Sequence, residues 1–414
     1  MISWRFKTRG QRPIGLDIGH NSLKMIQLAV NRGHISVLAA SKVRIDPHLN
    51  GDPEERRRFV VSAIKKILRE GKFRGRDVVS CLPNGSLKIT SLRLAEAKSE
   101  EIEQALRKEV AQRFGLDPDE DAIHYVLAGD VRQGDEVKNE LIVFAADNES
   151  IKSHIAVLAE AGLRLAGIDS VPCALFRSYE RLLQRQEDKE RTAVFVDIGS
   201  RFTTVVFGRG PKITFVKQIP IGGQDFNEEI ATRLDIDARE AEMLRSKLRM
   251  ERAKNEERGL WVCCPDVTGR QDSRNADTTE VCLETVDAST RQVVDDAVSA
   301  VAERLAREIS LCFKYYTVTF RGKQVERAVL SGGEAYERIL LNVLGQHLGV
   351  RIEVAEPLKG FDMTDSDFDS DRRGLLCEWA VAVGLSLKGW NGDLEGSEGL
   401  LAGCGSKGKA DGYE

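Results

Sequence analysis

The sequence predicts an α/β protein with two related halves and a smaller α/β unit inserted into the first half. Two observations carry this prediction. An apolar strand that ends in Asp-Ile-Gly occurs twice, at residues 14–19 and 194–199, and each copy leads through a tight turn into a second strand. Strand-like runs also alternate with amphipathic helical segments along most of the chain, which is typical of α/β folds.

The composition is that of a soluble globular protein and argues against several classes. Of the 414 residues, 42% are hydrophobic and 30% are charged, and at about 100–200 residues per domain this length predicts two to four domains. The net charge of −4 argues against a dedicated nucleic-acid-binding protein. The longest apolar run, 141–146, is shorter than the roughly 20 residues of a membrane span. Eight cysteines without a CxxC pair argue against a disulfide framework or a zinc site.

The first half is predicted as a domain over 14–77 that contains an inserted subdomain over 78–165. Its first helix carries Pro53, which suits the first turn, and Ser99 is a good N-cap for the helix of the insert. The predicted elements are strands 14–18, 23–29, 35–43, 78–82, 87–94 and 141–146 and helices 53–70, 99–114 and 149–162.

The second half repeats the order of the first and is predicted as a domain over 193–388. Residues 166–192 return the chain to the first domain and connect the two halves. A helix is expected after Gly222-Gly223, and a glycine pair at 332–333 follows the last strand. The other predicted elements are strands 193–198, 203–207, 213–216 and 327–330 and a long helix over about 292–316.

Four segments have compositions that do not suit a packed core. Residues 1–13 form a basic arm with no acid and no apolar secretion-signal stretch; it suits a solvated tail, or contact with anionic lipid headgroups or an acidic partner. Residues 251–290 are predicted as a polar, irregular insert. The stretch 361–371 holds five Asp and reads as a solubilising loop, and the Gly- and Ser-rich residues 389–414 are predicted to be disordered.

The repeated hairpin carries the chemistry. Glycine lets backbone amides approach a phosphate closely, and the amides of a hairpin turn form a concavity that binds anions. An Asp at the end of each strand can hold a hydrated Mg²⁺ beside those phosphates. One Asp-x-Gly is a common turn sequence, but two copies in matched contexts predict a pair of hairpins that clamp a polyphosphate.

The order of these motifs resembles that of the actin-like ATPase superfamily of actin, the heat-shock chaperone ATPases and FtsA. Its first phosphate loop, second phosphate loop and adenosine loop correspond to DIGHNSLK at 17–24, DIGSRFTT at 197–204 and LSGGEAYERILLNVLGQHL at 330–348. Within the superfamily, the chain is similar to the type IV pilus assembly protein PilM family over roughly residues 14–388. This narrower resemblance rests on DIG-x-x-S-x-K, on IGGQDF at 221–226 with the later Ala-Glu pair at 241–242, and on VAVGLSL at 381–387. The insert suits subdomain 1C, which this family shares with FtsA.

The resemblance implies an actin-like ATPase fold, with two RNase H-like domains around a cleft that binds ATP and Mg²⁺. Asp17 and Asp197 would face Mg²⁺ through water, and Asp169 falls where relatives place the residue that orients the attacking water. The other implied ligands are Gly19, Asn21, Ser22 and Lys24 in the first phosphate loop, Gly199, Thr203 and Thr204 in the second, Gly222 and Gly223 on the cleft floor, and Gly332, Gly333, Glu334 and Arg338 around the adenosine.

Some of these positions allow a second interpretation or depart from the family pattern. Lys24 also fits a solvated strand residue, and Asp169 also fits a cap of the following helix. His20 and Asn21 stand where the first loop usually carries small hydroxyl residues. Both side chains can still donate to phosphate, so we expect binding to survive this change better than catalytic geometry does.

The resemblance implies an ATP-binding protein that helps to assemble the inner-membrane platform of the type IV pilus or of a related type II secretion system. It would be cytoplasmic, at the inner face of the inner membrane, and would dock the cytoplasmic N-terminal tail of a PilN-like membrane protein, with other platform proteins as further partners. Hydrolysis would be slow or incidental, and the resemblance leaves homo-oligomerisation open. Membrane contact would run through partners, and no nucleic-acid partner is expected.

Two other classes share the scaffold. An FtsA-like, membrane-associated cell-division protein usually ends in an amphipathic helix, and residues 389–414 show no sustained amphipathic pattern. A sugar kinase or chaperone-type ATPase is a turnover enzyme, and a sugar kinase needs a substrate domain and a general base near the γ-phosphate. The sequence shows no such constellation, which favours the pilus interpretation.

Overall fold

The structure, a computed structural model, describes residues 11–31, 34–95, 99–133, 135–180, 191–260, 286–320, 325–364 and 375–388. Thirteen strands and nine α-helices lie within these ranges. The strands are β1 (Gln11–Ile18), β2 (Ser22–Asn31), β3 (His34–Arg44), β4 (Asp77–Cys81), β5 (Lys88–Ala95), β6 (Ala122–Gln133), β7 (Glu136–Ala146), β8 (Arg164–Asp169), β9 (Thr192–Ile198), β10 (Thr203–Arg209), β11 (Lys212–Ile219), β12 (Val325–Ser331) and β13 (Arg351–Val354). The helices are α1 (Pro53–Glu70), α2 (Ser99–Phe114), α3 (Asn148–Glu160), α4 (Val171–Glu180), α5 (Gly223–Leu234), α6 (Ala238–Leu260), α7 (Ala288–Thr319), α8 (Arg338–Leu348) and α9 (Ala380–Ser386).

The two halves have sheets of the same topology. The first sheet has the strand order β3-β2-β1-β4-β8 and the second β11-β10-β9-β12-β13. In each, the first three strands in chain order form an antiparallel meander and the last two add in parallel. The internal repeat inferred from the sequence is therefore confirmed as a repeat of structure, and both Asp-Ile-Gly segments lie at the carboxyl ends of central strands.

Two helices pack between these sheets at backbone contact distance. A Cβ on Gly384 of α9 would lie 1.8 Å from Ala174 O of α4, and a Cβ on Gly15 of β1 would lie 2.1 Å from Ala382 O of α9. Neither position therefore accepts a side chain, because the neighbouring atoms are backbone. The close packing of α9 against α4 and β1 explains the small residues of the segment 381–387, which carries part of the family resemblance.

The inserted unit is narrower than the predicted 78–165. A three-stranded antiparallel sheet of order β5-β7-β6, covered by α2, comprises residues 88–146. Both β4 and β8 pair within the first sheet, so the two ends of the predicted segment belong to the first domain. The sequence analysis also did not predict β6, whose apolar residues are interrupted by His124, Gly129 and Asp130, whereas β7 ends in the unbroken apolar run 141–146.

The polar segment 251–290 is also shorter than predicted. Helix α6 extends to Leu260 and α7 begins at Ala288, and residues 261–285 lie outside the described part of the chain. Ion pairs join the two helices, as Arg291 Nη2 lies 2.6 Å from Glu251 Oε2. The sequence predicted irregular structure here because this end of α6 has few apolar residues. The same residues are rich in Arg and Glu, which favour helix.

The remaining predictions fall largely outside the described residues. Residues 1–10 of the basic arm, the tail 389–414 and residues 365–371 of the acidic stretch all lie there. The described end of the arm, 11–13, is the start of β1. Asp362 pairs with β3, where its carbonyl accepts from Val37 N at 2.8 Å. Within the described ranges no helix is both long and apolar enough to cross a bilayer.

Candidate functional site

The predicted first phosphate loop is the turn between β1 and β2. Gly19 N donates to Ser22 O at 2.9 Å and closes the turn. Asp17 and Lys24 are cross-strand partners, and Lys24 Nζ lies 3.3 Å from Asp17 Oδ2. Lys24 is only 8% exposed, so it is not the solvated strand residue that the sequence also allowed.

Lys24 is a fixed positive charge at the base of this loop. Burial alone would lower the pKa of its ammonium group, but the negative charges of Asp17, Glu378 and Asp197 outweigh burial and raise the pKa above its ordinary value. A buried lysine that stays charged needs such partners. The cation is therefore present at every physiological pH, beside the carboxylates that the sequence assigned to Mg²⁺.

Arg56 of α1 supports the first loop from outside. Its guanidinium donates to Gly19 O at 2.7 Å and to His20 O at 3.0 Å. Burial, with the positive charges of Arg201 and Arg56, lowers the pKa of His20 to about 4. His20 is therefore neutral near pH 7, and it lies within electrostatic reach of Arg201 on the second loop.

The predicted second phosphate loop is the turn between β9 and β10, and it has the same closing hydrogen bond. Gly199 N donates to Phe202 O at 3.0 Å, and Asp197 pairs with Thr204 in the register that Asp17 and Lys24 occupy in the first hairpin. Thr203 Oγ1 donates to Ile221 O at 2.8 Å. The hydroxyl of Thr204 accepts from Asn84 Nδ2 at 3.4 Å. Both threonines are fully buried, so their hydroxyls position the loop.

A glycine pair holds the second loop from behind. Gly223 N donates to Gly199 O at 2.9 Å, and Gln224 N donates to Ser200 O at 2.7 Å. A Cβ on Gly222 would lie 2.6 Å from Ser200 O and 2.7 Å from Gly199 O. Only glycine permits this backbone approach at position 222. That Gly222 and Gly223 shape the floor of a nucleotide cleft stays a prediction.

Asp197 has a partner set different from that of Asp17. Its Oδ1 accepts from Ser331 Oγ at 3.2 Å. Burial raises the pKa of Asp197 to about 6, with the charge of Asp17 acting in the same direction and Lys24 and Ser331 opposing. The two aspartates therefore lie within electrostatic reach of each other, as the paired-hairpin prediction requires.

This pair of carboxylates fits Mg²⁺. The described residues hold no cluster of three or more His, Cys, Asp and Glu that would form an all-protein metal cage. Mg²⁺ is usually held by one or two carboxylates together with water and substrate phosphates. Asp17 and Asp197 lie within electrostatic reach of each other, and Asp197 resists ionisation. A divalent cation bound to both would offset the repulsion between the two carboxylates.

The predicted adenosine loop follows β12. Gly332 has φ +92°, and a Cβ there would lie 2.3 Å from Ile198 O, so the loop packs directly against the end of β9. Glu334 does not point an unpaired carboxylate into the cleft. It forms ion pairs with Arg245 and with Arg249, the latter at 3.2 Å.

Helix α6 contacts the predicted adenosine loop through a row of arginines that the sequence analysis did not predict. Glu337, 1% exposed, forms ion pairs with Arg245 at 3.3 Å and with Arg252 at 3.5 Å. Arg249 also donates to Gly333 O at 3.2 Å. The spacing of 245, 249 and 252 places these cations on one helix face, and that periodicity was the signal available in the sequence. Arg338 begins α8 directly after this network.

Asp169 lies at the end of β8, with its carboxylate engaged by two cations. Arg177 Nη1 lies 2.9 Å and Lys388 Nζ 3.3 Å from Asp169 Oδ2. Burial would raise the pKa of Asp169, but these two charges lower it to about 2. The cap of α4 is instead Ser170, whose hydroxyl accepts from Cys173 N at 3.3 Å. Neither role considered from the sequence anticipated the ion pairs.

One ion pair joins the two domains near the cleft. Arg44, at the end of β3, lies 2.6 Å from Glu242 of α6. The site therefore gathers Asp17 and Lys24 from the first domain with Asp197, Ser331 and the α6 face from the second. The carboxylate of Asp169 forms its own buried ion pairs with Arg177 and Lys388.

Comparison with known proteins agrees with this architecture. The solved PilM–PilN type IV pilus biogenesis complex matches with a TM-score of 0.69 and 23% identity, covering 91% of this chain and 98% of that one. The ethanolamine utilization protein EutJ from Carboxydothermus hydrogenoformans matches with a TM-score of 0.49 and 14% identity, covering 91% and 89%. At 23% identity, the likeness to the PilM–PilN complex concerns the fold alone, and it agrees with the fold class predicted from the sequence.

The family comparison covers most of the chain. The model for type IV pilus assembly protein PilM matches residues 15–257 and 291–390. Between the two matched ranges, residues 258–290 are unmatched, and they contain the 261–285 stretch between α6 and α7. Both phosphate-loop hairpins, the glycine pair at 222–223, the adenosine loop and α9 lie inside the matched ranges, and this match shows that the chain belongs to the type IV pilus assembly protein PilM family.

Proposed function

We propose that this protein is a cytoplasmic ATP-binding component of the type IV pilus assembly platform and docks the cytoplasmic tail of a PilN-like inner-membrane protein. The proposal of nucleotide binding rests on the pair of matched hairpins. Their aspartates, Asp17 and Asp197, lie within electrostatic reach of each other and beside the buried positive charge of Lys24. Family membership carries the pilus half.

In the nucleotide cleft, Asp17 and Asp197 would hold Mg²⁺ through water, and Mg²⁺ would neutralise phosphate charge. Gly19 N and Gly199 N close their own turns, so the amides that meet phosphate are expected from the turn residues 20–21 and 200–201. Lys24 adds a fixed cation on the first side. Gly332 and Gly333 bring the backbone of the adenosine loop against the cleft, and Arg245 and Arg249 orient Glu334 behind it.

The site supports nucleotide binding more than rapid turnover. Asp169, which relatives would use to orient water, is engaged by Arg177 and Lys388, and leaving this pair would expose a buried negative charge. We therefore propose that ATP chiefly stabilises the association of the two domains. Hydrolysis is then slow and incidental to assembly.

The partner half is tested by titration of the full chain with a synthetic peptide of the cytoplasmic N-terminal tail of the PilN-like protein from the same organism. We expect saturable binding that a scrambled peptide does not reproduce. Leu127 and Val137 are exposed apolar residues of the inserted unit; the family resemblance implies that the tail docks in a groove near this unit, and we propose the same here. Leu127→Asp/Val137→Asp should weaken binding about tenfold or more, whereas Val318→Asp on the exposed face of α7 is the matched control. Absence of peptide binding to the wild type would contradict the proposed partner.

A further inference from the structure

The inserted unit is attached to the first domain but packs on the second. It lies between β4 and β8 in the chain, and both of these strands belong to the first sheet. One face of its sheet contacts α2. From the other face Ala128, Ile142 and Phe144 join the buried apolar cluster of β9, β10 and β11. Within the described residues, no side chain of 88–146 joins the apolar cluster of β1 and α1, so the unit packs with one domain and is connected to the other.

A buried polar network also fixes the inserted unit to α7 of the second domain. Glu140 of β7 is 1% exposed, and its carboxylate accepts from Arg93 Nε at 2.6 Å and from Tyr315 Oη at 3.0 Å. Arg93 Nη2 also donates to Thr319 Oγ1 at 3.1 Å. Separation of the two elements would leave the buried carboxylate without part of its donor set, which is costly. The inserted unit is therefore expected to move with the second domain.

Residues 82–87, called the connector below, join β4 of the first domain to β5 of the inserted unit. Leu82 and Leu87, at its two ends, are buried in the apolar cluster of the second domain. Between them the chain makes a tight turn, in which Ser86 N donates to Pro83 O at 2.9 Å. The connector therefore runs from the carboxyl end of a first-domain strand onto the second domain.

The side chain of Asn84, in the connector, forms hydrogen bonds with two residues of the second sheet. Its Nδ2 donates to Thr204 Oγ1 at 3.4 Å, and its Oδ1 accepts from Gln218 Nε2 at 3.0 Å. Thr204 and Gln218 are cross-strand partners on β10 and β11, and Thr204 is also the cross-strand partner of Asp197. Asn84 therefore contacts the row of the second sheet that begins at a candidate Mg²⁺ ligand.

We propose that Asn84 is a positioning residue through which the nucleotide cleft and the partner-binding surface of the inserted unit are coupled. This inference rests on the proposed function, because it concerns the two ligands named there, and it adds that they bind cooperatively. A ligand held by both hairpins fixes the row of Asp197, Thr204 and Gln218 relative to the first domain. Asn84 transmits this restraint to the connector, and the connector leads directly into the inserted unit.

The sign of the coupling follows from the order that each ligand imposes. A tail that docks near the inserted unit must order the connector, and a nucleotide that has already fixed the connector removes part of that entropic cost. The two ligands should therefore strengthen each other's binding. Coupling of this kind is reciprocal, so the tail must raise the affinity for nucleotide by the same factor as nucleotide raises the affinity for the tail.

Peptide titration of the full chain with and without nucleotide tests the coupling. We expect the peptide of the PilN-like cytoplasmic tail to bind about fivefold or more tightly with saturating Mg²⁺–ATP than without it. Asn84→Ala and Gln218→Ala should each still bind peptide and Mg²⁺–ATP separately, but the ratio of the two peptide affinities should fall close to one. The matched control is Asn148→Ala in the other connection of the inserted unit, where the side chain has no hydrogen bond within the described residues. This variant should keep the wild-type ratio.

Amide hydrogen exchange measures the connector itself. Saturating Mg²⁺–ATP should slow exchange at residues 84–87 in the wild type and in Asn148→Ala, but not in Asn84→Ala. A purely structural role of Asn84 would change exchange equally with and without nucleotide, and that result would contradict the proposal. Thermal melts establish that the variants are folded, and Gln218→Ala removes the same contact from the second domain if Asn84→Ala does not fold.

The outcomes separate this inference from the proposed function. If peptide and Mg²⁺–ATP both bind the wild type and neither changes the affinity for the other, the coupling is wrong and the proposed function stands. Weaker peptide binding in the presence of nucleotide would contradict the sign of the coupling. An unchanged ratio in both Asn84→Ala and Gln218→Ala would contradict the role of Asn84. Failure of either ligand to bind the wild type would contradict the proposed function and the coupling with it.

Discussion

The two predicted phosphate-loop hairpins have the same backbone arrangement and differ in charge. Each closes with the same amide-to-carbonyl bond, at 2.9 Å in the first and 3.0 Å in the second, and each places its Asp at the same register position. Opposite Asp17 stands the buried cation Lys24, whereas opposite Asp197 stands the neutral Thr204. The two hairpins therefore have the same shape, but only the first places a positive charge opposite its aspartate.

The difference teaches which side depends on a ligand. In the first hairpin, the ammonium group of Lys24 neutralises the carboxylate of Asp17. In the second, the hydroxyl of Ser331 is the one donor that the described residues supply to the Asp197 carboxylate, and burial raises the pKa of Asp197 to about 6. We infer that the second hairpin awaits a cation, which the Mg²⁺–nucleotide complex would supply.

The largest expected effect separates Asp17 from Asp197. Asp17→Asn leaves Lys24 charged and buried without its closest partner, which should lower the free energy of unfolding by about 3 kcal/mol. Asp197→Asn removes a carboxylate that resists ionisation and should raise the free energy of unfolding above pH 7, on the order of 2 kcal/mol. Both variants should lose at least about a hundredfold in affinity for Mg²⁺–ATP. Urea unfolding and calorimetry measure the two quantities, and equal destabilisation by both variants would contradict the electrostatic division between the hairpins.

The next effect concerns what supports each loop. Gly222→Ala would push a Cβ into the carbonyls of Gly199 and Ser200 and displace the second loop, at a cost of about 2 kcal/mol in nucleotide binding. Gly19→Ala meets only Ser22 O, at 3.0 Å, and should cost less. Nucleotide titration of the two variants compares the losses in affinity, and a larger loss for Gly19→Ala than for Gly222→Ala would contradict this prediction.

The pH dependence of the second hairpin follows from the sign of one shift. The pKa of Asp197 is raised from 3.8 to about 6 in the folded protein, so its contribution to stability is present in full below pH 4 and is lost as pH rises through 6. Affinity for Mg²⁺–ATP should move the opposite way and increase through the same interval, because the metal needs the ionised carboxylate. Unfolding curves at several pH values, with Asp197→Asn as the reference that lacks the slope, check the first statement. Calorimetry across the interval checks the second.

The smallest effect is expected at the ion pair between the domains. Arg44 is 66% exposed at its side chain, and exposed pairs contribute about 0–1 kcal/mol. Arg44→Ala should therefore change the free energy of unfolding by less than about 1 kcal/mol and leave nucleotide affinity nearly unchanged. A loss of tenfold or more in the nucleotide titration would show that this contact closes the cleft.

The sequence predicted the parts of this molecule that rest on local pattern. The repeated Asp-Ile-Gly strand ends, the turn glycines and α1, with Pro53 at its start, are readable because strand period, turn chemistry and helix amphipathicity are properties of neighbouring residues. The limits of the inserted unit were wrong in detail, because the membership of β4 and β8 in the first sheet is decided by pairing between segments more than 60 residues apart.

The missed features of the site are long-range ion pairs. Asp169 meets Lys388 across 219 positions, and Glu334 meets Arg245 and Arg249 across more than 80. No local signal specifies such partners, although the spacing of the arginines on α6 predicts that they lie on one face of the helix. The burial of Lys24 was likewise open in the sequence, since an alternating strand does not state which face is covered by the rest of the fold.

The central claim is that the two hairpins together form a site for Mg²⁺–adenine nucleotide. Isothermal titration of the full chain with ATP, with Mg²⁺ and with a chelator in its place, tests it most directly. The account predicts saturable binding near one nucleotide per chain that depends on Mg²⁺ and is abolished in Asp197→Asn, a variant that remains at least as stable as the wild type. A blank titration of the wild type with Mg²⁺ present, or unchanged binding by Asp197→Asn, would contradict it.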